Sequence, residues 1–220
     1  MKNIVLGVLG VVVVGLVAFV GVVAMQPDEM TMQRSVTVAA TPADVFPFAN
    51  DFEQWQKWNP WRDMDPSQKE TFSDNKAGVG AWYAWEGNDK VGKGRMDLRE
   101  SVQDQKVVHD LHFIEPFESK AVVTFTMAPA GDQTTVTWGF VSEQALMAKA
   151  FGLFVDMDAM LGADFQRGLD KLKPLAEAAA TERVAAERAA AEAAAAAVPV
   201  EGAAVVQVEG VPEGVIPSAK

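Results

Sequence analysis

Two side chains in this sequence could move a proton inside an otherwise apolar domain. His109 lies in the alternating run Lys106 to Ile114, on the parity of Val107, Leu111 and Phe113. A strand there would turn the imidazole inward. With a reference pKa of about 6.5, it could orient a ligand or act as a general base, or simply be a hydrogen-bonded core or rim histidine. Glu86 shares a parity with Trp82, while Tyr83 shares the other with Trp85. Which pair points inward is open at this level. A buried Glu86 would have its pKa raised by desolvation and could serve as a general acid or base. The third feature is "WQKWNPW", residues 55 to 61, which holds three of the six tryptophans. Pro60 ends any helix that carries Trp55 and Trp58, so Trp61 belongs to the loop that follows. The triplet predicts a corner where short helices meet a sheet, at least two of its rings acting as structural plugs; the other reading makes Trp58 or Trp61 a wall or gate for an apolar ligand.

Composition narrows the remaining chemistry. A formal charge of -11 and a pI near 4.6 oppose a phosphate-backbone partner, which needs a basic face; no nucleic acid is expected. There is no cysteine and there are only two histidines, His109 and His112, so a thiolate or histidine-rich metal cage is excluded. "GVGAWYAW" lacks the third glycine of a dinucleotide fingerprint and opens a strand, not a helix. No cofactor is implied. His112 and Asp110 share the outer parity. Arg95, Asp97 and Arg99 read as a solvated charge row.

These residues need elements to hold them. Residues 4 to 24 carry no charge, and a helix of that length spans roughly 30 Å, the thickness of a bilayer core. A cleaved signal would have an apolar region of about 7–15 residues and a small-x-small site, which Val22-Val23-Ala24 matches poorly. The reading is an uncleaved anchor (1–25), with membrane contact through residues 4–24. Lys2 precedes it, and Asp28 and Glu29 follow. The positive-inside rule then places the rest on the periplasmic side of the inner membrane. A linker, 26–33, would hold the domain near the lipid.

The domain itself, 34–175, is predicted as α+β. Ser35 to Val38 alternates as a strand. Thr41 caps a short helix whose first position is Pro42, and Pro47 keeps it short. Strands follow at about 81–86, 94–101, 106–114, 119–128 and 134–141, joined by turns such as "GNDKVG", and form an antiparallel meander. Met96 and Leu98, then Val107, His109, Leu111 and Phe113, then Ala121, Val123, Phe125 and Met127, then Val136, Trp138 and Phe140 share its apolar face. One long amphipathic helix, Leu146 to Leu172, is the predicted cover, with Ala150, Leu153, Phe154, Met157, Met160, Leu161, Phe165 and Leu169 also in its stripe. Beyond it, 176–197 is an Ala/Glu/Arg-rich helical extension with Arg183–Glu187 and Arg188–Glu192 pairs. Residues 198–220 are a disordered Val/Pro/Gly tail.

Together these stretches resemble a known family. "SVTVAATPADVFPFANDFEQWQKWNPW", "GVGAWYAWEGNDKVGKGRMDLRES" and "LFVDMDAMLGADFQRGLDKLK" are similar to the opening strand and Trp-rich corner, the central hairpin and the closing helix of the START-like, or SRPBCC, superfamily. This is the helix-grip fold of polyketide cyclases and lipid-transfer domains, here in a membrane-anchored bacterial form. The resemblance implies a cavity between a curved sheet and the long helix. Its walls would come from Trp58, Trp61, Tyr83, Trp85, Met96, His109, Leu111, Phe113, Phe125, Trp138, Phe154 and Met157, although these same side chains could instead fill a solid core. The expected function is non-catalytic binding of a hydrophobic or amphipathic molecule of lipid or isoprenoid class. The alternative is a cyclase or hydrolase using His109 or Glu86.

Overall fold

A computed structural model describes residues 2–197. The expected tail, 198–220, lies outside the described residues. The chain forms two compact units divided after Glu182.

The first unit opens with α1 (Lys2–Ala24). It then builds β1 (Glu29–Val38), α2 (Pro42–Asn50), α3 (Phe52–Trp55), β2 (Lys69–Phe72), β3 (Trp82–Glu86), β4 (Lys93–Val102), β5 (Lys106–Glu115), β6 (Ser119–Ala130), β7 (Gln133–Glu143), α4 (Leu146–Gly152) and α5 (Met157–Ala197). The seven strands make one antiparallel sheet in the order β1-β7-β6-β5-β4-β3-β2. Only β1 leaves the sequential meander, crossing over to lie beside β7.

The short helices form as their sequences dictate. Thr41 has the extended backbone of an N-cap, and its backbone N–H and hydroxyl both donate to the Asp44 carboxylate, at 3.0 and 2.7 Å. Pro47 lies inside α2, which runs on to Asn50. Asp51 caps the next turn by accepting from the Glu53 N–H at 2.7 Å.

The alternation picked the buried face correctly: Val107, His109, Val123, Phe125, Val136 and Trp138 are all buried. Several boundaries differ from expectation. β1 begins at Glu29, so most of the expected linker 26–33 is strand, paired with β7 from Glu29↔Glu143 onward. The polar stretch that forms β2 shows no strand signal, and its pairing with β3 creates the strand.

The expected single helix from Leu146 is two helices. Gly152 ends α4, and the Asp156 carboxylate accepts from the Ala159 N–H at 2.9 Å, starting α5 afresh. Leu146, Phe154 and Met160 are consequently exposed, not part of a buried stripe.

The real stripe is Phe165, Leu169 and Leu172, all buried; each such burial is worth about 1.5–3 kcal/mol. Pro174 does not interrupt α5, and burial continues through Ala176 and Ala180. The packed domain therefore extends past the expected boundary at 175. Glu177 accepts from the Ala39 N–H at 3.0 Å, clamping this stretch to the end of β1.

Two glycines let α5 approach the sheet. A Cβ on Gly162 would collide with the Arg34 guanidinium, which donates to both carboxylate oxygens of Asp158 at 2.9 and 3.2 Å and to its backbone carbonyl at 3.2 Å. A Cβ on Gly168 would lie 2.8 Å from Trp138 and 3.2 Å from Pro60. In the second unit, the described residues are helical and solvated. Arg183–Glu187 and Arg188–Glu192 pair at 2.9 Å, and such exposed pairs contribute little.

Gly168→Ala should therefore destabilise the chain by a net of up to about 2 kcal/mol, an overpacking cost of about 1–3 kcal/mol set against the roughly 1 kcal/mol gained in helix propensity. Gly152→Ala, with nothing within 4 Å of its Cβ position, should leave stability unchanged or raise it. Urea unfolding of both variants checks the pair.

Candidate functional site

The inner face of the sheet is organised in cross-strand rungs, and they divide a cavity from a solid core. Tyr83↔Met96↔Leu111 form one rung, and Trp85↔Gly94↔Phe113 form the next, nearer the sheet's end. Between these rungs, α3 and Leu161 of α5 lies a cavity of about 230 Å³. That exceeds the roughly 150 Å³ that accommodates benzene in an engineered apolar cavity. Its wall is mostly apolar. Asn59, Gln68 and the Tyr83 hydroxyl add polar atoms, and Asp89 to Gly92, Glu115 and Pro116 make the rim.

Trp85 is held in three ways. Its indole N–H donates to the Val91 carbonyl at 3.0 Å, its face stacks on Tyr83 at 5.7 Å, and Phe113 meets it edge-on at 6.0 Å. Gly94 is required opposite it, because a Cβ there would overlap the indole and stand 2.8 Å from the His112 carbonyl oxygen.

Tyr83 is buried, and its hydroxyl is met by the Gln68 amide, donating at 3.1 Å. Burial, reinforced by the nearby Glu70 carboxylate, raises the phenol pKa well above its ordinary value. It is a neutral hydrogen-bonding group, not a phenolate.

Asp65 secures the rim. It accepts from the Ser67 hydroxyl at 2.7 Å and the Ser67 N–H at 3.1 Å, and from the Asn88 N–H at 2.7 Å. These bonds lower its pKa, the Ser67 hydroxyl most. They tie the loop after Trp61 to the β3–β4 turn.

The predicted site residues sort into three groups. Trp61, Tyr83, Trp85, Met96, Leu111 and Phe113 line the cavity. Trp58, His109, Phe125 and Trp138 point inward but fill the core behind it. Trp58 is 0% exposed and donates to the Phe48 carbonyl at 3.0 Å; it is a plug, not a gate. Phe154 and Met157 lie outside the cavity altogether, in the groove between the end of α1 and the start of α5. Glu86 corrects the acid/base expectation. It is exposed on the outer face, 3.3 Å from Lys93, because Tyr83 and Trp85 take the inner parity.

His109 sits one rung deeper than Leu111, paired with Leu98 and Val123. Phe52 and Phe125 cover it, with ring centroids at 5.3 and 5.8 Å. Its Nδ1 has no hydrogen-bond partner among the described residues. Desolvation pushes its pKa down to about 3, so the ring is neutral at ordinary pH.

Sequence reasoning did not assign Trp55, Asn59, Gln68, the Asp89–Gly92 turn, Glu115 or Pro116 to the site, and it placed Leu161 only in the apolar stripe of the covering helix. Trp55 was visible within the triplet; the polar residues carried no periodic signal.

The chain matches the family described as polyketide cyclase / dehydrase and lipid transport over residues 29–177. It belongs to that family. No curated protein matches it. Among solved structures, a hypothetical protein from Helicobacter pylori is similar with TM-score 0.50 and 14% identity, over 67% of this chain and 88% of that one. A protein from Chromobacterium violaceum is similar at TM-score 0.49 and 16% identity, over 69% of this chain and 99% of that one. The Aha1 dimer from Colwellia psychrerythraea gives 0.49 and 14%, over 67% and 96%. The Helicobacter similarity shows the shared fold alone.

A neutral buried histidine leaves a pH signature. The unfolded chain protonates near 6.5 and the folded one only near 3. Stability is unaffected above the upper value and falls as pH drops through that window, by up to about 1.4 kcal/mol per pH unit. His109→Leu should flatten the profile of melting temperature between those limits. An unchanged acid limb would show that other groups control it.

Proposed function

We propose that this chain is a membrane-tethered domain that holds a hydrophobic or amphipathic small molecule, of lipid or isoprenoid class, without transforming it. The observation that carries this reading is the cavity wall. Trp61, Trp85, Met96, Leu111, Phe113 and Leu161 supply apolar surface, and the Tyr83–Gln68 pair offers a polar contact. Largely apolar pockets with a few placed polar groups are the usual form of small-molecule sites. A ligand of this kind gains its binding energy by leaving water, and the Tyr83 hydroxyl would orient its polar end. The alternative enzymatic reading needs a proton-transfer group on that wall. Glu86 on the outer face and His109 behind the wall favour binding over catalysis.

The tether is α1. Its segment Leu6–Ala24 is long and apolar enough to cross a membrane, at roughly 1.5 Å per residue. A signal sequence meets the same test of length and composition. We read it as a retained single-pass anchor, because the apolar run exceeds the roughly 7–15 residues of a signal core. Lys2 then stays cytoplasmic, and the domain faces the extracytoplasmic side of the inner membrane.

The test is to purify the full chain from its own membranes in mild detergent and identify bound molecules by native and denaturing mass spectrometry. A stoichiometric apolar or amphipathic ligand is expected, and Leu111→Trp, which fills the cavity, should lose it while keeping a cooperative melting transition. Wild-type protein that repeatedly carries no ligand would defeat the reading.

A further inference from the structure

The cavity rim and the apolar helix lie at the same end of the sheet. Strand register establishes this: Glu29 pairs with Glu143, Glu86 pairs with Lys93, and Lys93 pairs with Glu115. So β1 starts where β7, β5 and β3 finish. The chain leaves α1 into β1 at this end, fixed by the Gln144 N–H donating to the Asp28 carbonyl at 2.8 Å. The rim residues Asp89 to Gly92, Glu115 and Pro116 are at the same end.

One group of large apolar side chains and one separate aromatic ring project from it. On α4 and the turn after it, Met147 is 80% and Phe154 78% exposed, with Phe151 beside them. In the β5–β6 turn, next to the rim, Phe117 is 82% exposed. Large apolar side chains grouped and exposed in this way, as Met147, Phe151 and Phe154 are, mark an interaction site. Its occupant is indicated by α1. The Phe154 ring lies 6.4 Å from Phe19 of that helix, and the buried Lys149 of α4 pairs with Asp28 just beyond it. The α4 surface is therefore continuous with α1, whose own outward-facing residues, such as Val11, Leu16 and Val17, are exposed in the chain by itself.

We infer that α4 and the Phe117 turn insert into the surface of the bilayer that α1 spans, seating the cavity mouth on the lipid. This rests on α1 being a membrane anchor, as proposed above. Amphipathic segments of this type sit about 5–10 Å deep at the headgroup boundary. The acidic net charge of -11 makes apolar insertion, not attraction to anionic headgroups, the holding force. An apolar ligand could then pass between membrane and cavity without crossing water.

The absence of cysteine makes the test direct. Single substitutions Met147→Cys, Phe151→Cys and Phe117→Cys are labelled with an environment-sensitive fluorophore in the full chain. The protein is reconstituted in phosphatidylcholine–phosphatidylglycerol vesicles that contain spin-labelled lipid. Val12→Cys reports on the anchor, and Val79→Cys, exposed at the opposite end of the sheet, reports on water. Labels at 147, 151 and 117 should be blue-shifted and quenched by lipid at least about twofold more than the label at 79. If they behave like 79 while 12 is quenched, the anchor stands and this inference falls. A blue shift without lipid quenching means a protein covers the patch, and also overturns it. If 12 itself is unquenched, the anchor reading fails and this inference fails with it.

Discussion

The structure depends on one contact: Trp138 of β7 stacked flat on Phe165 of α5, with ring centroids 4.0 Å apart. Around it, Trp55, Trp58 and Trp61 meet Trp138 edge-on at 5.3, 5.4 and 5.8 Å. Edge-to-face aromatic pairs each add about 0.5–1.5 kcal/mol beyond area burial. This wedge joins the closing helix, the Trp corner and the far strands of the sheet. Gly168 lets α5 come close enough to make it. The wedge also has a cost, because the indole N–H groups of Trp55 and Trp138 find no partner among the described residues. Such buried orphans cost about 1–3 kcal/mol each, and the aromatic packing offsets it.

The cavity exists because the wedge fills only part of the space under the sheet. Where Trp138, Phe125 and Trp58 converge, the interior is solid. Two and three rungs away, the inner face carries Met96 and then Gly94, and α5 contributes Leu161 where farther along it contributes Phe165. The space left is kept open by rigid neighbours. Trp85 cannot swing in while its N–H is bonded to Val91, and Asp65 holds the turn that carries Val91 against the loop after Trp61. Walls fixed by hydrogen bonds in this way lower the reorganisation that admitting a ligand would need.

Much of this was legible in the chain because it depends on local rules. Period-two alternation placed Met96, Leu111 and Phe113 on the same face as His109, since a strand offers its side chains only two directions. The Thr41–Pro42 start and the glycine-bounded turn from Gly87 to Gly92 followed from backbone preferences. Where the reading failed, the outcome depended on distant partners. β2 exists because β3 pairs with it. Phe154 left the apolar stripe because one helix ends at Gly152 and Asp156 starts another, which leaves Phe154 in the link between them.

The sequence by itself determined which side of each long strand is apolar, that a long helix must cover it, and that an uncharged run stands at the beginning. Those properties are set by neighbouring residues along the chain. Tertiary structure decided which inward residues border space. Trp58 and Trp61 are three residues apart, yet one is sealed in the core and the other lines the cavity. Leu111 and His109 share a strand and a parity, yet only Leu111 reaches the cavity. Parity specifies a direction, whereas a void is a difference between volumes contributed by α3, α5 and three strands at once. That difference is settled only when those elements meet.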